Sequence, residues 1–251
     1  ASWRNDPARI FGRYMNIVIL TTQTLHHTHF VRKIADQFSV THVFIETTSL
    51  TAPFDTSHSF EGLRDRYERE VWFDGMDSSL DKFADVQFFK TMNHPQAVSA
   101  LQKAKPDSII VFGTGKLSKS VINIAPDAIF NLHGGDPEHY RGLDSHLWAI
   151  YHWDFERLVT TIHRLNISLD DGEIIETLNL PIVAGTELYQ LRKINTEVCI
   201  QLTVNALSAQ LQTDGLTGRL QSEVGRYYSF MPSVLKNLCV GRFRNYTKNL
   251  I

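Results

Sequence analysis

Four short apolar runs, separated by segments of helix length, limit this chain to few folds. They are Asn16-Ile17-Val18-Ile19-Leu20, Val40 to Glu46, residues 86–89, and Ser108-Ile109-Ile110-Val111-Phe112. In the first and last of these, near-continuous apolarity marks a strand covered on both faces, not the alternation of a half-exposed antiparallel sheet. Between them the sequence reads as helix. One helix follows the polar loop 21–24 and runs to about Phe38, and a second covers 61–72. A third opens at Asn93-His94-Pro95, with Asn93 as the expected N-cap and Pro95 in the first turn, and runs to about Lys103. Strands alternating with helices predict an α/β fold: a Rossmann-like, mostly parallel sheet with helices on both faces. The first βα turn carries no GxGxxG, so a dinucleotide is not indicated.

The second half continues the pattern. A strand is expected at 129–131, a helix at 145–153, and two strands at 159–165 and 174–181. Leu188, Leu191, Ile194, Val198 and Leu202 repeat at helical spacing within a long amphipathic helix over 186–211. Residues 213–251 hold the aromatic run Tyr227-Tyr228-Ser229-Phe230 and a short helix from Pro232. The expected organisation is a lead-in over 1–14 ahead of Met15 as the natural start, one domain over 15–212, and a small C-terminal extension over 213–251. Composition removes several function classes. Apolar residues make up 43% of the chain, enough for a packed core. With 25 basic against 27 acidic side chains the net charge is -2, which gives a nucleic-acid partner no support. Cys199 and Cys239 form no metal-ligand spacing and read as reduced thiols of a cytoplasmic protein. No apolar run suggests a membrane span.

The stretch 128–172 concentrates the chemistry. Ala128-Ile129-Phe130-Asn131-Leu132-His133 is a strand that ends in two polar residues with one between them. A strand alternates its faces, so Asn131 and His133 point the same way, at the carboxyl end where open α/β sheets carry their sites. Gly134-Gly135-Asp136-Pro137 and Tyr140-Arg141-Gly142 follow, and Leu169-Asp170-Asp171-Gly172 closes the stretch after Thr161-Ile162-His163. An amide donor, an imidazole and a carboxylate suit acyl transfer by direct attack. The amide faces the oxyanion, and the imidazole moves the proton from the entering to the leaving nitrogen. Gly134 and Gly135 let a substrate approach backbone N–H groups.

Asn131-x-His133, Tyr140-Arg141-Gly142 and Leu169-Asp170-x-Gly172 together resemble the motifs of the folate-dependent formyltransferases, in family order, over a likeness running from about Met15 to about Pro181. The resemblance is closest in character to the sugar N-formyltransferases. It implies catalytic Asn131, His133 and Asp170, and 10-formyltetrahydrofolate as formyl donor, with no metal. The folate pocket it implies is built from Gly113, Thr114, Gly115, Lys116 and Leu117, and from the 166–171 loop with Ile167, Leu169 and Asp171. Acceptor binding is expected at Gly134, Gly135, Tyr140, Arg141 and His26.

Departures narrow the acceptor. Gly134-Gly135-Asp136-Pro137 stands where several members carry Ser-Leu-Leu-Pro, and Thr21-Thr22-Gln23-Thr24 stands where purine transformylases carry a glycine-rich phosphate loop. A tRNA substrate is not expected, for want of basic excess and of room for a further C-terminal domain. By elimination the acceptor is expected to be a nucleotide-linked amino sugar of polysaccharide biosynthesis. The alternatives are another small amine of purine-precursor or hydroxyornithine type, or hydrolysis of the donor, which the shortness of 1–14 disfavours against a regulatory N-terminal domain. A third reading is a binding module that kept the fold and lost turnover. Simpler roles stand beside the chemical ones. His26, His27 and His29 have no carboxylate or Cys partner for a metal and suit the cleft rim. Asp171 competes with Asp170 as the turn residue before Gly172. His163 fits a core or wall histidine, Trp148 and Trp153 fit the core, and Arg141 either binds phosphate or fixes its loop. Lys116 either neutralises the glutamate tail of folate or is solvated. The aromatic end suits a stacking surface or a homodimer contact.

Overall fold

The computed structural model describes residues 14–74, 79–166, 172–213 and 215–250. β1 (Ile17–Thr22), α1 (Leu25–Ala35), β2 (Val40–Glu46), α2 (Ser59–Phe73), β3 (Asp85–Phe89), α3 (Pro95–Ala104), β4 (Ser108–Phe112), α4 (Lys119–Ile122) and β5 (Ile129–His133) alternate strictly. They are followed by β6 (Tyr140–Gly142), α5 (Ser145–Tyr151), β7 (Val159–Arg164), β8 (Ile174–Asn179), α6 (Leu191–Gln212), β9 (Arg226–Tyr228) and α7 (Ser233–Lys248). Seven strands form one sheet in the order β3-β2-β1-β4-β5-β7-β8. The pairs from β3 through β5 are parallel, while β5–β7 and β7–β8 are antiparallel. The α/β architecture with a mostly parallel sheet is the one expected. Strand order reverses between β1 and β4, and the loops leaving these strands diverge there to open a crevice at the carboxyl ends.

The apolar runs divide their side chains between the two faces, as strand alternation requires. Ile17, Ile19, Val43, Ile45, Ile110, Phe112 and Phe130 pack under α1, α6 and α7. Val18, Leu20, Phe44, Ile109, Val111 and Ile129 pack under α3 and α4. Each large side chain so buried contributes about 1.5–3 kcal/mol against exposure.

Local sequence sets the helix starts. Thr24 caps α1 and accepts from the His27 N–H. His58 and Glu61 form a capping box at α2. At α3 the cap is His94, whose Nδ1 accepts from the Gln96 N–H at 3.3 Å, and not the expected Asn93. Asn93 is occupied elsewhere: its amide donates to the Lys116 carbonyl at 2.8 Å and accepts from the Ser118 N–H at 2.7 Å.

The segment after α6 is built into the molecule. β9 pairs in parallel with β6, and α7 packs on α5 with Cys239 and Phe243 fully buried. At 16 residues, α7 is longer than the short helix expected. Lys236 of α7 reaches Glu61 of α2 at 2.7 Å. No helix among the described residues is long and apolar enough to cross a membrane.

Candidate active site

β5 lies between β4 and β7. Antiparallel pairing places His163 opposite Asn131 and Thr161 opposite His133. The Asn131 side-chain amide donates to Nε2 of His163 at 3.2 Å, so the proton of that ring is on Nδ1, which donates to the Arg164 carbonyl at 3.1 Å. His163 is completely buried and orients the Asn131 amide. His133 is also oriented: its Nε2 is 2.7 Å from the Tyr140 carbonyl, which can only accept, so Nε2 carries a proton and Nδ1 holds the lone pair of the neutral ring. Ser145 Oγ stands 3.5 Å from the same nitrogen.

Two cavities meet at His133. The first, about 390 Å³, is walled by Asn131, His133, the whole Gly113 to Leu117 loop, Leu165, Asn166, Leu50 and Tyr227. The second, about 320 Å³, is walled by His26, Arg64, Asp144, Ser145, His146, Arg192, Asn195 and Lys236. Phe112, His133, Gly134, Gly142 and Leu143 line both. Both fall in the size range of small-molecule sites.

The loop after β4 is held from below. Glu46, buried at the end of β2, accepts from the Gly115 N–H through one oxygen and from the Met92 N–H through the other, each at 2.8 Å. Gly113 has φ +86, and a Cβ there would run into the His27 ring, so only glycine fits. Gly172 is required for a different reason: its Cβ would collide with the Arg164 carbonyl. Burial, with His27, Arg192 and Arg64 nearby, holds His26 well below the ordinary histidine range. Burial takes His146 down to about 4. It pushes the Asp144 carboxyl upward.

Of the residues singled out from sequence, Asn131, His133, Gly134, His26 and the whole 113–117 loop line these cavities. Asp170, Ile167, Leu169 and Asp171 lie outside the described residues. Tyr140, Arg141 and Gly135 line neither cavity. Tyr140 is buried, donates to Asp154 at 3.0 Å and stacks on Tyr228. Arg141 is buried too, donating to the Pro137 carbonyl at 3.0 Å and to Gln221 at 2.9 Å. Gln221 in turn donates to the Gly172 carbonyl at 2.8 Å, so Arg141 fixes its own loop through Pro137 and is linked through Gln221 to Gly172. Gly135 accepts from Thr161 at 2.9 Å and touches Ser145. His163, Glu46, Arg64, Asn195 and Tyr227 were not assigned to the site from sequence, because strand pairing and chain return bring them there. A grouping of three or more His, Cys, Asp or Glu side chains able to hold a metal is absent among the described residues.

A polar strand end beneath two joined cavities is a site for bringing two small molecules together. The family model for formyl transferase matches residues 73–207, more than half of the 251-residue chain. The chain belongs to the formyl transferase family. The resemblance to folate-dependent formyltransferases is thereby borne out, and the chain is an enzyme of that kind. Solved formyltransferases share its fold. A sugar N-formyltransferase from a Shewanella species matches with a TM-score of 0.59 at 12% identity, over 91% of this chain and 87% of that one. Glycinamide ribonucleotide transformylase 1 from Symbiobacterium toebii matches at 0.56 and 15% identity, over 83% and 95%. A formyltransferase from Anoxybacillus kamchatkensis, solved with UDP-4,6-dideoxy-4-formamido-L-AltNAc and tetrahydrofolate, matches at 0.51 and 16% identity, over 85% of each chain.

Proposed function

We propose that this formyltransferase moves the formyl group of 10-formyltetrahydrofolate onto the amine of a nucleotide-linked amino sugar, a polysaccharide precursor. The observation that carries the proposal is the meeting of two cavities of different character at His133 and Gly134. The first combines apolar walls at Leu50, Leu117, Leu132 and Leu165 with the backbone polar groups of the 113–117 loop, a combination that suits a flat heteroaromatic ring with an amide edge. The second sets charged and polar side chains, among them Glu61, Asp144, Ser145 and Asn195, beside apolar walls at Phe60, Leu188 and Leu191, a combination that suits a hydroxyl-bearing ring.

The donor supplies an activated formyl carbon. Asn131 offers its amide N–H to the formyl oxygen as negative charge develops there. His133, with Nε2 tied to Tyr140, works through Nδ1. It gathers the proton that the entering amine loses as the new C–N bond forms, and returns it to the departing donor nitrogen as the old C–N bond breaks. Protonated His133 also adds positive charge near the oxyanion. Asp170 is assigned from its sequence motif as the carboxylate that favours the charged imidazole and passes protons through a water, while the Tyr140 carbonyl orients the ring. Holding donor and acceptor on either side of one histidine converts their encounter into a local event.

The test is a panel of amino-sugar nucleotides incubated with 10-formyltetrahydrofolate, read by the gain of one carbonyl unit in acceptor mass. Modification of at least one nucleotide-linked acceptor, and no free formate without an acceptor, is expected. Formate release that ignores the acceptor would point to donor hydrolysis instead. The fold likeness to a glycinamide ribonucleotide transformylase supports a second reading, a phosphorylated purine precursor as acceptor. Including glycinamide ribonucleotide in the panel separates the two.

A further inference from the structure

We infer that Arg64 reads an anionic group on the acceptor, a phosphate or diphosphate ester, in the second cavity. The inference rests on that cavity being the acceptor site. Three cations line it, Arg64, Arg192 and Lys236, each paired with a carboxylate, and in two of them the terminal nitrogens are taken up. Arg192 is forked onto Glu68 at 2.7 and 2.5 Å and reaches Asp65 at 2.7 Å. Lys236 is held by Glu61 at 2.7 Å. Arg64 differs. Its Nε donates to Asp65 at 2.9 Å, but its two terminal amino groups have no partner among the described residues. Its side chain is 20% exposed, so an unspent guanidinium edge is accessible from the cavity.

A planar fork with two free N–H edges matches the oxygens of a phosphate better than a lone hydroxyl. Asp65 takes only the Nε–H of Arg64, through the same oxygen that accepts from Arg192. His26, on the same wall and held neutral by burial, offers a hydrogen bond without competing for the anion. The inference places the amine of such an acceptor at His133 and Gly134, which line both cavities, and its anionic group at Arg64 of α2.

The whole chain, as wild type, Arg64→Gln and Arg64→Lys, is titrated calorimetrically with UDP and with inorganic phosphate. Tetrahydrofolate serves as the control for an intact donor cavity. Wild type is expected to bind at least one anion, and Arg64→Gln to weaken it by roughly 10–100-fold. Arg64→Lys should recover part of the loss, with tetrahydrofolate affinity unchanged in all three. UDP binding well above phosphate assigns the group to a diphosphate ester, and equal affinities assign it to a simple phosphate. Failure of wild type to bind either anion overturns the inference, as does equal anion affinity in wild type and Arg64→Gln. If anions bind through Arg64 but no nucleotide-linked amino sugar is formylated, the nucleotide-sugar reading fails and the anion site stands.

Discussion

Asn131 and His133 differ in how they are held, and that difference sorts what substitutions do. Asn131→Ala removes an amide aimed by His163 and is expected to lower kcat by roughly 10²–10³-fold. His133→Ala should cost roughly 10²–10⁴-fold while tetrahydrofolate binding persists. Single-turnover formyl transfer checks both, and wild-type rates in either variant would remove that residue from the mechanism. His163→Phe keeps a buried ring but takes away the acceptor that orients the amide. A fall in kcat of about fivefold with donor KM unchanged is expected, since one misdirected neutral hydrogen bond is worth about 1 kcal/mol. Asn131 and His133 were legible from sequence because polar side chains at the end of an apolar strand have no core role. His163 was not, since its partner is 32 positions away and reached only through antiparallel pairing. For Arg141 the sequence left two roles open, a phosphate ligand or a brace for its own loop, and only the fold shows its guanidinium donating to Pro137 and Gln221.

Among the elements, the loop after β4 is fixed by groups distant in sequence. Glu46 grips Gly115 and Met92, and Asn93 grips Lys116 and Ser118. Glu46→Gln replaces one accepting oxygen with an NH₂ that faces an N–H donor. It should weaken tetrahydrofolate binding several-fold in a fluorescence titration while leaving acceptor affinity alone. Native donor affinity after that substitution would show that the loop holds its shape unaided. Gly113→Ala brings a Cβ against His27 at φ +86, and a loss of roughly 1–3 kcal/mol in denaturant unfolding is expected. β1, β4 and β5 were readable because buried parallel strands are continuous apolar runs, whereas β3 lies at the sheet edge with Phe88 54% exposed. The pairing of β9 with β6 was not, because a three-residue strand has no periodicity to read.

For the molecule as a whole, buried histidines set a dependence on acid. His27 is driven to about 3 and His146 to about 4, chiefly by burial, from an ordinary value of 6.5. Below 6.5 the unfolded chain takes up protons that the folded chain refuses. Stability is therefore complete above that value and declines as pH falls toward 4. Each such histidine adds about 1.4 kcal/mol per pH unit to the slope. Denaturant midpoints between pH 7.5 and 4.5 should show the fall, and it should be shallower in His146→Gln; a flat profile would contradict neutral burial. The pairing of β6 with β9 has a consequence for synthesis. Tyr140, whose carbonyl fixes the proton of His133, sits on a strand completed only by residues 226–228. A ribosome that has delivered the central sheet has not yet released the strand that completes the surroundings of His133. The setting of that imidazole thus arrives late in translation, after the 113–117 loop already exists.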